Sequence, residues 1–149
     1  MRAASGGGPT GTVEALQTVL AAEHAAVHLW AAIGARTTSE ADPGSAAEAA
    51  SRHAVHRQRR DSVSESLRAR GAAPVDAAAA YELPPLGDRE GARAAGLLVE
   101  QRCAQAYSAL VVRSRGRLRG WAIDALVDSS TATAFWGGRP ESFPGAPEL

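Results

Sequence analysis

Residues 45–67 carry a set of side chains spaced three or four positions apart, and this spacing constrains the fold more than any other feature of the chain. The set consists of Ala46, Ala49, His53, His56, Arg60, Val63 and Leu67. Such spacing is typical of the inward face of a helix in a helical bundle. The middle of the set is polar, although a buried charge without a partner costs several kcal/mol. We therefore expect groups of opposite charge on the facing helices.

The composition indicates an all-α protein with a single domain. A chain of 149 residues can bury a core without disulfides or structural metals. Alanine is abundant, aromatic residues make up only 5%, and runs of β-branched residues are absent, which favours helices over strands. The formal net charge is zero, so we predict neither nucleic acid nor a membrane as a partner. The absence of lysine excludes Schiff-base chemistry on this chain.

The cysteine content and the first residues bear on the cellular compartment. Cys103 is the only cysteine, so it has no internal disulfide partner and suits a reducing environment. The first residues lack the apolar segment of a signal peptide, and no apolar run approaches the length of a membrane span. We therefore expect a soluble, cytoplasmic protein.

Glycine and proline divide the chain into two tails and a central helical part. We expect residues 1–11 to form a disordered, glycine-rich tail. Residues 12–136 are predicted to form one bundle of four helices, and residues 137–149 a tail too rich in proline and glycine to continue as helix. No internal repeat of the solenoid type is visible in the sequence.

Polar residues at the expected helix starts predict the caps. Thr10 or Thr12 is a suitable N-cap for helix 1. Ser45 and Glu48 have the spacing of a capping box at the start of helix 2. Asp88 is a suitable N-cap for helix 3. Each cap would satisfy backbone N–H groups that have no partner within the helix.

The connection between helices 2 and 3 is unusually long. Residues 72–87 contain Pro74, Pro84 and Pro85, so we expect them to be largely irregular. Fully extended, such a segment reaches roughly 50 Å. A helix of about 25 residues is only about 38 Å long. The connection can therefore run the length of the bundle, and we predict that helices 2 and 3 are parallel.

Polar residues lie near the midpoint of each predicted helix, on its inward face. Because the midpoints of bundled helices share one level in either direction, these residues should meet in one central layer. The predicted layer consists of Glu23, His53, His56, Arg60, Glu100 and Asp128.

Two interpretations of this layer remain open. In the first it is a salt-bridge network, in which Arg60 and the histidines neutralise the acids. On that interpretation, Arg60→Leu should destabilise the fold by on the order of 3 kcal/mol. In the second the layer binds iron or manganese, because carboxylates and imidazoles are the ligands of di-iron bundles. The metal ligands would then be Glu23, His53, His56, Glu100 and Asp128. The orientation of Arg60 distinguishes the two: an inward arginine places a fixed positive charge at the metal position, whereas an outward one favours the metal interpretation.

Several blocks of the sequence resemble a known family. They are AAEHAAVHLWAAIGAR, HRQRRDSVSESLRARGAAPV, YELP, VEQRCAQAYSALV and SFPGAPEL. Together with the long crossover, they resemble the ferritin-like superfamily and, within it, an actinobacterial ferritin-like domain family of unknown function. The resemblance implies a ferritin-like four-helix bundle and a di-iron centre, with Glu23 and Glu100 in the places of its two single-helix glutamates. Its two Glu-x-x-His motifs are not matched, because His53-x-x-His56 and Asp128-x-x-Thr131 stand in the corresponding helices.

Two further clusters have alternative interpretations. His24 and His28 are four residues apart, a spacing that could place both on one zinc ion, although a half-exposed histidine pair is the simpler interpretation. Four arginines at positions 113, 115, 117 and 119 lie at the turn between helices 3 and 4. They could contact a polyanion, but cations are also common at helix C-termini, which favours a solvated turn.

The favoured functional hypothesis is a non-catalytic bundle with a structural or interaction role and no cofactor. The alternative is a metal-dependent oxidoreductase with iron or manganese in the central layer, and a third option is a carrier of a small ligand between the helices. Alanine-rich faces on helices 1 and 2 allow close helix approach, so we also expect a homodimer built on these two helices.

Overall fold

A computed structural model of the protein describes residues 8–37 and 41–146. Within these ranges the chain forms helices and no strand, which confirms the predicted all-α class. The helices are α1 (Pro9–Arg36), α2 (Pro43–Arg68), α3 (Arg89–Arg113) and α4 (Gly116–Phe135). Of the two predicted tails, residues 1–7 and 147–149 lie outside the described residues. None of the helices in the described ranges is both long enough and apolar enough to cross a membrane.

The helix starts differ in part from the predicted caps. The predicted capping box at the start of α2 is wrong. The helix begins earlier, at Pro43, and the side chain of Asp42 accepts a hydrogen bond from Ser45 N at 3.2 Å. A proline suits this first turn because its missing N–H needs no partner there. The predicted cap of α3 is confirmed, since Asp88 Oδ1 accepts a hydrogen bond from Gly91 N at 2.7 Å.

Neither threonine caps α1, which begins at Pro9 without a side-chain cap. Thr12 instead donates a hydrogen bond from Oγ1 to the carbonyl oxygen of Arg113 at 2.6 Å. This oxygen belongs to the last residue of α3, so no N–H group of the same helix donates to it. The contact joins the start of α1 to the end of α3, so these two helices are antiparallel.

The segment between α2 and α3 runs along the outside of α1. Gln17 anchors its first part, donating to Ala73 O at 2.6 Å and accepting from Val75 N at 2.8 Å. At its far end, Arg89 lies 2.6 Å from Asp42. Because Arg89 and Asp42 stand at the starts of α3 and α2, these two helices begin at the same end of the bundle. The predicted long crossover and the parallel arrangement of α2 and α3 are therefore confirmed.

The helices close three sides of the bundle and leave the fourth wider. Helix α1 packs against α2 and α3, and α3 packs against α4. On the remaining side, the Cα atoms of α2 and α4 stay more than 8 Å apart. Small residues in α3 allow the close packing elsewhere: a Cβ at Gly96 would lie 2.7 Å from the ring of Trp136. Long polar side chains cross the wider side, and they belong to a polar site at the centre of the bundle.

A central ion network as the candidate functional site

His56 of α2 is completely buried at the centre of the bundle, between two glutamates. Its Nδ1 lies 2.7 Å from Oε2 of Glu23, on α1. Its Nε2 lies 3.0 Å from Oε1 of Glu100, on α3. Because carboxylate oxygens only accept hydrogen bonds, an imidazolium that donates from both nitrogens satisfies this arrangement. His56 therefore joins three helices through charge-assisted hydrogen bonds.

The protonation of His56 follows from its neighbours. Burial alone would lower the pKa of the ring, because it penalises the charged form. Contacts with the Cys103 thiol and with the carboxylates of Glu100 and Glu23 outweigh burial and raise the pKa of His56 to about 11. The imidazole is therefore positively charged at neutral pH.

Arg52, one helical turn before His56, extends the network to α4. Its side chain is only 5% exposed. The guanidinium contacts Glu100 in a bidentate manner, with Nε 2.7 Å from Oε1 and Nη2 2.9 Å from Oε2. Its Nη1 donates to Asp128 Oδ2 at 2.7 Å. Burial raises the pKa of the Glu100 carboxyl, but the bonds to His56 and Arg52 dominate, and the net effect is a lowered pKa.

The network reaches solvent at Asp128, whose side chain is 46% exposed. A second arginine, Arg59, donates from Nη2 to Asp128 Oδ2 at 2.7 Å and from Nη1 to Ser129 Oγ at 3.2 Å. The Arg59 guanidinium also lies over the ring of Tyr107, 5.5 Å from its centroid. Arg52 and Arg59 thus bridge the wider side of the bundle, where the α2 and α4 backbones do not approach.

Tyr107 and Cys103 of α3, both in their protonated forms, lie at the buried end of the network. Tyr107 donates from its hydroxyl to Glu23 Oε1 at 2.6 Å. Cys103 Sγ lies 4.0 Å from His56 Nδ1. Burial and the neighbouring Glu23 carboxylate raise the pKa of both groups, that of Cys103 to about 11. Both therefore remain neutral at physiological pH.

The charges of the network balance. The carboxylates of Glu23, Glu100 and Asp128 face the cationic groups of Arg52, His56 and Arg59. All four oxygens of Glu23 and Glu100 already accept a hydrogen bond from Tyr107, His56 or Arg52. A buried ionic layer with every group paired avoids the desolvation penalty of an isolated charge.

The residues of this layer do not fit a di-metal centre. In the described part of the chain, Glu23, His56 and Cys103 form the one group whose donor atoms lie close enough for a shared ion, all within 4.8 Å of one another. A metal there would have to remove protons from His56 and Cys103, each with a pKa of about 11. It would also break the 2.7 Å bond between His56 and Glu23. The Arg52 guanidinium adds a fixed positive charge beside Glu100.

The structure brings together four of the six residues predicted for the layer: Glu23, His56, Glu100 and Asp128. The other two lie elsewhere, which corrects the predicted layer. His53 is half-buried and forms no ion pair with the acids in the described part of the chain, while Arg60 pairs with Asp61 at 2.8 Å near the surface. The physical reason is the rotation of α2, which turns positions 52, 56 and 59 toward the acids instead of 53 and 60.

Sequence reasoning also missed the roles of three network members. Arg52 is four residues before His56 and Arg59 three residues after it, so a 4-3 spacing about His56, in place of the 3-4 spacing of His53, His56 and Arg60, would have found both. Cys103 follows Glu100 by three residues, which places it on the same face of α3. Of the secondary clusters, the four arginines near the α3–α4 turn are exposed, as a solvated turn requires.

The sequence matches a protein family, and the fold is similar to a solved structure. A family model described as "Domain of unknown function (DUF4439)" matches residues 15–148. The crystal structure of a conserved hypothetical protein, Rv2844, from Mycobacterium tuberculosis is similar to this fold, with a TM-score of 0.78 and 30% sequence identity. That similarity covers 85% of this chain and 95% of the mycobacterial chain. No curated protein matches the sequence.

Proposed function

We propose that this chain, which belongs to the family of domains of unknown function DUF4439, is a non-catalytic, ferritin-like bundle with a structural or interaction role. In this proposal an ion network has replaced an ancestral di-metal site. The observation that carries it is the position of Arg52, whose guanidinium binds Glu100 and Asp128 at 2.7 Å each. An arginine cannot lose its charge at physiological pH, so it competes permanently with a metal cation for these carboxylates.

The ferritin-like part of the proposal is supported by topology and by the placement of the acids. Di-iron bundles of this class take one glutamate from each of two helices and a Glu-x-x-His motif from each of the other two. Here Glu23 of α1 and Glu100 of α3 lie on either side of His56. The crossover between the parallel helices α2 and α3 follows the same superfamily pattern.

The metal-free part is supported by the missing ligands. The ligand set predicted from the sequence includes His53, yet no ion pair in the described part of the chain joins His53 to Glu23, Glu100 or Asp128. A metal-dependent oxidoreductase would also need free carboxylate oxygens, and those of Glu23 and Glu100 are engaged. The role proposed for this network is to fix how the helices pair, because other arrangements of the helices would leave buried charges without partners.

Metal analysis tests the proposal directly. The full chain is purified without chelators or a metal-affinity tag, incubated anaerobically with Fe(II) or Mn(II), desalted and analysed by elemental mass spectrometry. We expect no stoichiometric metal. One or two ions per chain, lost in a Glu23→Ala/Glu100→Ala variant, would overturn the proposal in favour of the oxidoreductase alternative.

We also propose that the protein forms a homodimer, and that it acts in the cytoplasm. The proposed dimer uses the outward, alanine-rich faces of α1 and α2. The crossover covers part of α1 near Gln17 and His24, so the remaining α1 face is narrower than the sequence suggests. A monomer mass by light scattering at micromolar concentration would contradict the dimer.

A further inference from the structure

A second polar cluster lies beneath the crossover, away from the central network. It lines a cavity of about 390 Å³ between α1, α2 and residues 77–81 of the crossover. The basic residues of the lining are His24, His28, His53 and Arg60, and no described lining residue is acidic. A concentration of basic groups without acids in one cavity is not explained by the ion network, since the two share no side chain.

The donors of this cluster are largely unpaired. The ring nitrogens of His28 and His53 have no hydrogen-bond partner among the described residues, and the His28 ring packs on Tyr81 at 5.1 Å between centroids. His24 uses Nε2 for Val75 O at 3.1 Å, which leaves its Nδ1 without a partner in the described part of the chain. The cavity thus offers an N–H group from each of His28 and His53 that has no acceptor among the described residues.

Arg60 is held at this site by an exposed neighbour. Its Nε and Nη2 both contact Oδ1 of Asp61, at 2.9 and 2.8 Å, so its Nη1 stays available. The Asp61 side chain is 61% exposed and does not line the cavity. An exposed ion pair of this kind contributes little energy, so it can yield to a ligand.

Electrostatics favour a negative charge here. Burial lowers the pKa of His53, and so do the positive charges of Arg57, Arg60 and His56. The positive charges of Arg57, Arg60 and His56 therefore disfavour protonation of His53, whereas a bound anion would reduce the repulsion among these groups.

We propose that this cavity binds a small organic anion. Its carboxylate or phosphate group would contact Arg60 and His53, for which the planar guanidinium supplies paired donors. Its apolar part would lie against the methyl groups of residues 77–80 and the ring of Tyr81. The cavity volume falls within the range of about 300–1,000 Å³ that is typical of small-molecule sites. This proposal does not depend on the central network. If the protein binds metal there, the proposal of anion binding is unaffected, and if no anion binds, the proposed function of the network is unaffected.

Binding of simple anions to the full chain tests the proposal. The probes are phenyl phosphate, benzoate and inorganic phosphate, with phenol as the neutral control, followed by calorimetry and by NMR of the histidine side chains. We expect saturable binding of phenyl phosphate or benzoate, with shifts at His53 and His28. Phenol should bind at least about tenfold more weakly, because it lacks the charge-assisted bonds.

Three variants make the result specific. Arg60→Gln should weaken the binding of the anions at least about tenfold, because it removes the charged donor. Asp61→Asn should strengthen it, because it removes the negative charge of the only described partner of the Arg60 side chain. Arg119→Gln removes an exposed arginine on α4 and should change nothing. The absence of saturable binding at millimolar concentration, or equal binding by the wild type and Arg60→Gln, would overturn the proposal. Circular dichroism confirms that each variant is folded.

Discussion

His56 Nδ1 donates to Glu23 Oε2 at 2.7 Å, and this bond is buried from solvent at both ends. The opposite nitrogen of the same ring reaches Glu100 at 3.0 Å. One imidazolium therefore separates two carboxylates that would otherwise repel each other inside the bundle. In this position a metal ion and a protonated histidine are alternatives, since each supplies positive charge between the acids.

Removal of this imidazolium should be among the most damaging single changes in the protein. We expect His56→Leu to lower the free energy of unfolding by about 3–5 kcal/mol, because it leaves two buried carboxylates without a cation between them. Urea denaturation followed by circular dichroism measures the loss. His28→Leu is the control: its ring is exposed, so its effect should stay within about 0.5 kcal/mol. Equal effects of the two variants would contradict the central role of His56.

The stability should depend on pH in a direction set by His56. The folded-state pKa of this group is raised from 6.5 to about 11, so folding favours its protonated form. Its contribution is complete below pH 6.5 and declines as the pH rises toward 11. The lowered pKa values of Glu100 and Asp128 act in the opposite direction, so their contribution is lost as the pH falls below their ordinary values. Urea midpoints between about pH 4 and about pH 10 test this profile, which predicts the maximum in mildly acidic solution.

The variant His56→Asn tests whether His56 causes the loss of stability at alkaline pH. His56→Asn lacks the imidazole whose pKa is raised, so its unfolding free energy should change less between about pH 7 and about pH 10 than that of the wild type. The same slope in both proteins would show that another group is responsible.

Two arginines of α2 should differ sharply in their importance. Arg52→Leu should cost about 3–5 kcal/mol, because it leaves the buried Glu100 without its bidentate partner. Arg60→Leu should cost no more than about 1 kcal/mol, because Arg60 pairs only with the exposed Asp61 among the described residues. This reverses the expectation from sequence, in which Arg60 was the inward arginine. Thermal melting of the two variants side by side distinguishes the two assignments.

The difference between Arg52 and Arg60 shows what the sequence could and could not predict. The helical periodicity and the length of the crossover predicted the four helices and their order, because both depend on local spacing and chain reach. The layer of acids followed from the depth of Glu23, Glu100 and Asp128 in their helices. The rotation of α2 did not follow, because arginines occur at 52, 57, 59 and 60, and more than one helix face contains them. Only packing against the neighbouring helices selects one of these faces.

The individual hydrogen bonds of the network could not be predicted from the sequence either. Tyr107 follows Glu100 by seven residues, which places both on one face of α3, but its bond to Glu23 depends on a separation of 2.6 Å that no spacing rule gives. The cavity beneath the crossover is a similar case. An irregular segment can lie against a bundle in many ways, and the position of residues 77–81 over His28 follows from tertiary contacts.

Cys103 should be unreactive as long as the protein is folded. Its thiol is buried and its pKa is raised to about 11, so little thiolate forms at neutral pH. We expect Ellman's reagent to modify the native protein only at the rate of unfolding, and the denatured protein immediately. Fast modification of the native state would show that the buried end of the network opens to solvent without global unfolding.

The glycines of α1 and α3 provide a last test, which concerns the packing that holds the network in place. A Cβ at Gly96 would lie 2.7 Å from the Trp136 ring and 3.0 Å from Trp30, so one of the rings would have to move. We expect Gly96→Ala to destabilise the protein by about 1–3 kcal/mol, even though alanine is the better helix former. Gly34 is also helical, but a Cβ added there would meet nothing within 4 Å, so Gly34→Ala should stabilise the protein by up to about 1 kcal/mol. Opposite signs in thermal melting support the tight contact of α3 with the two tryptophans, whereas stabilisation by both substitutions would contradict it.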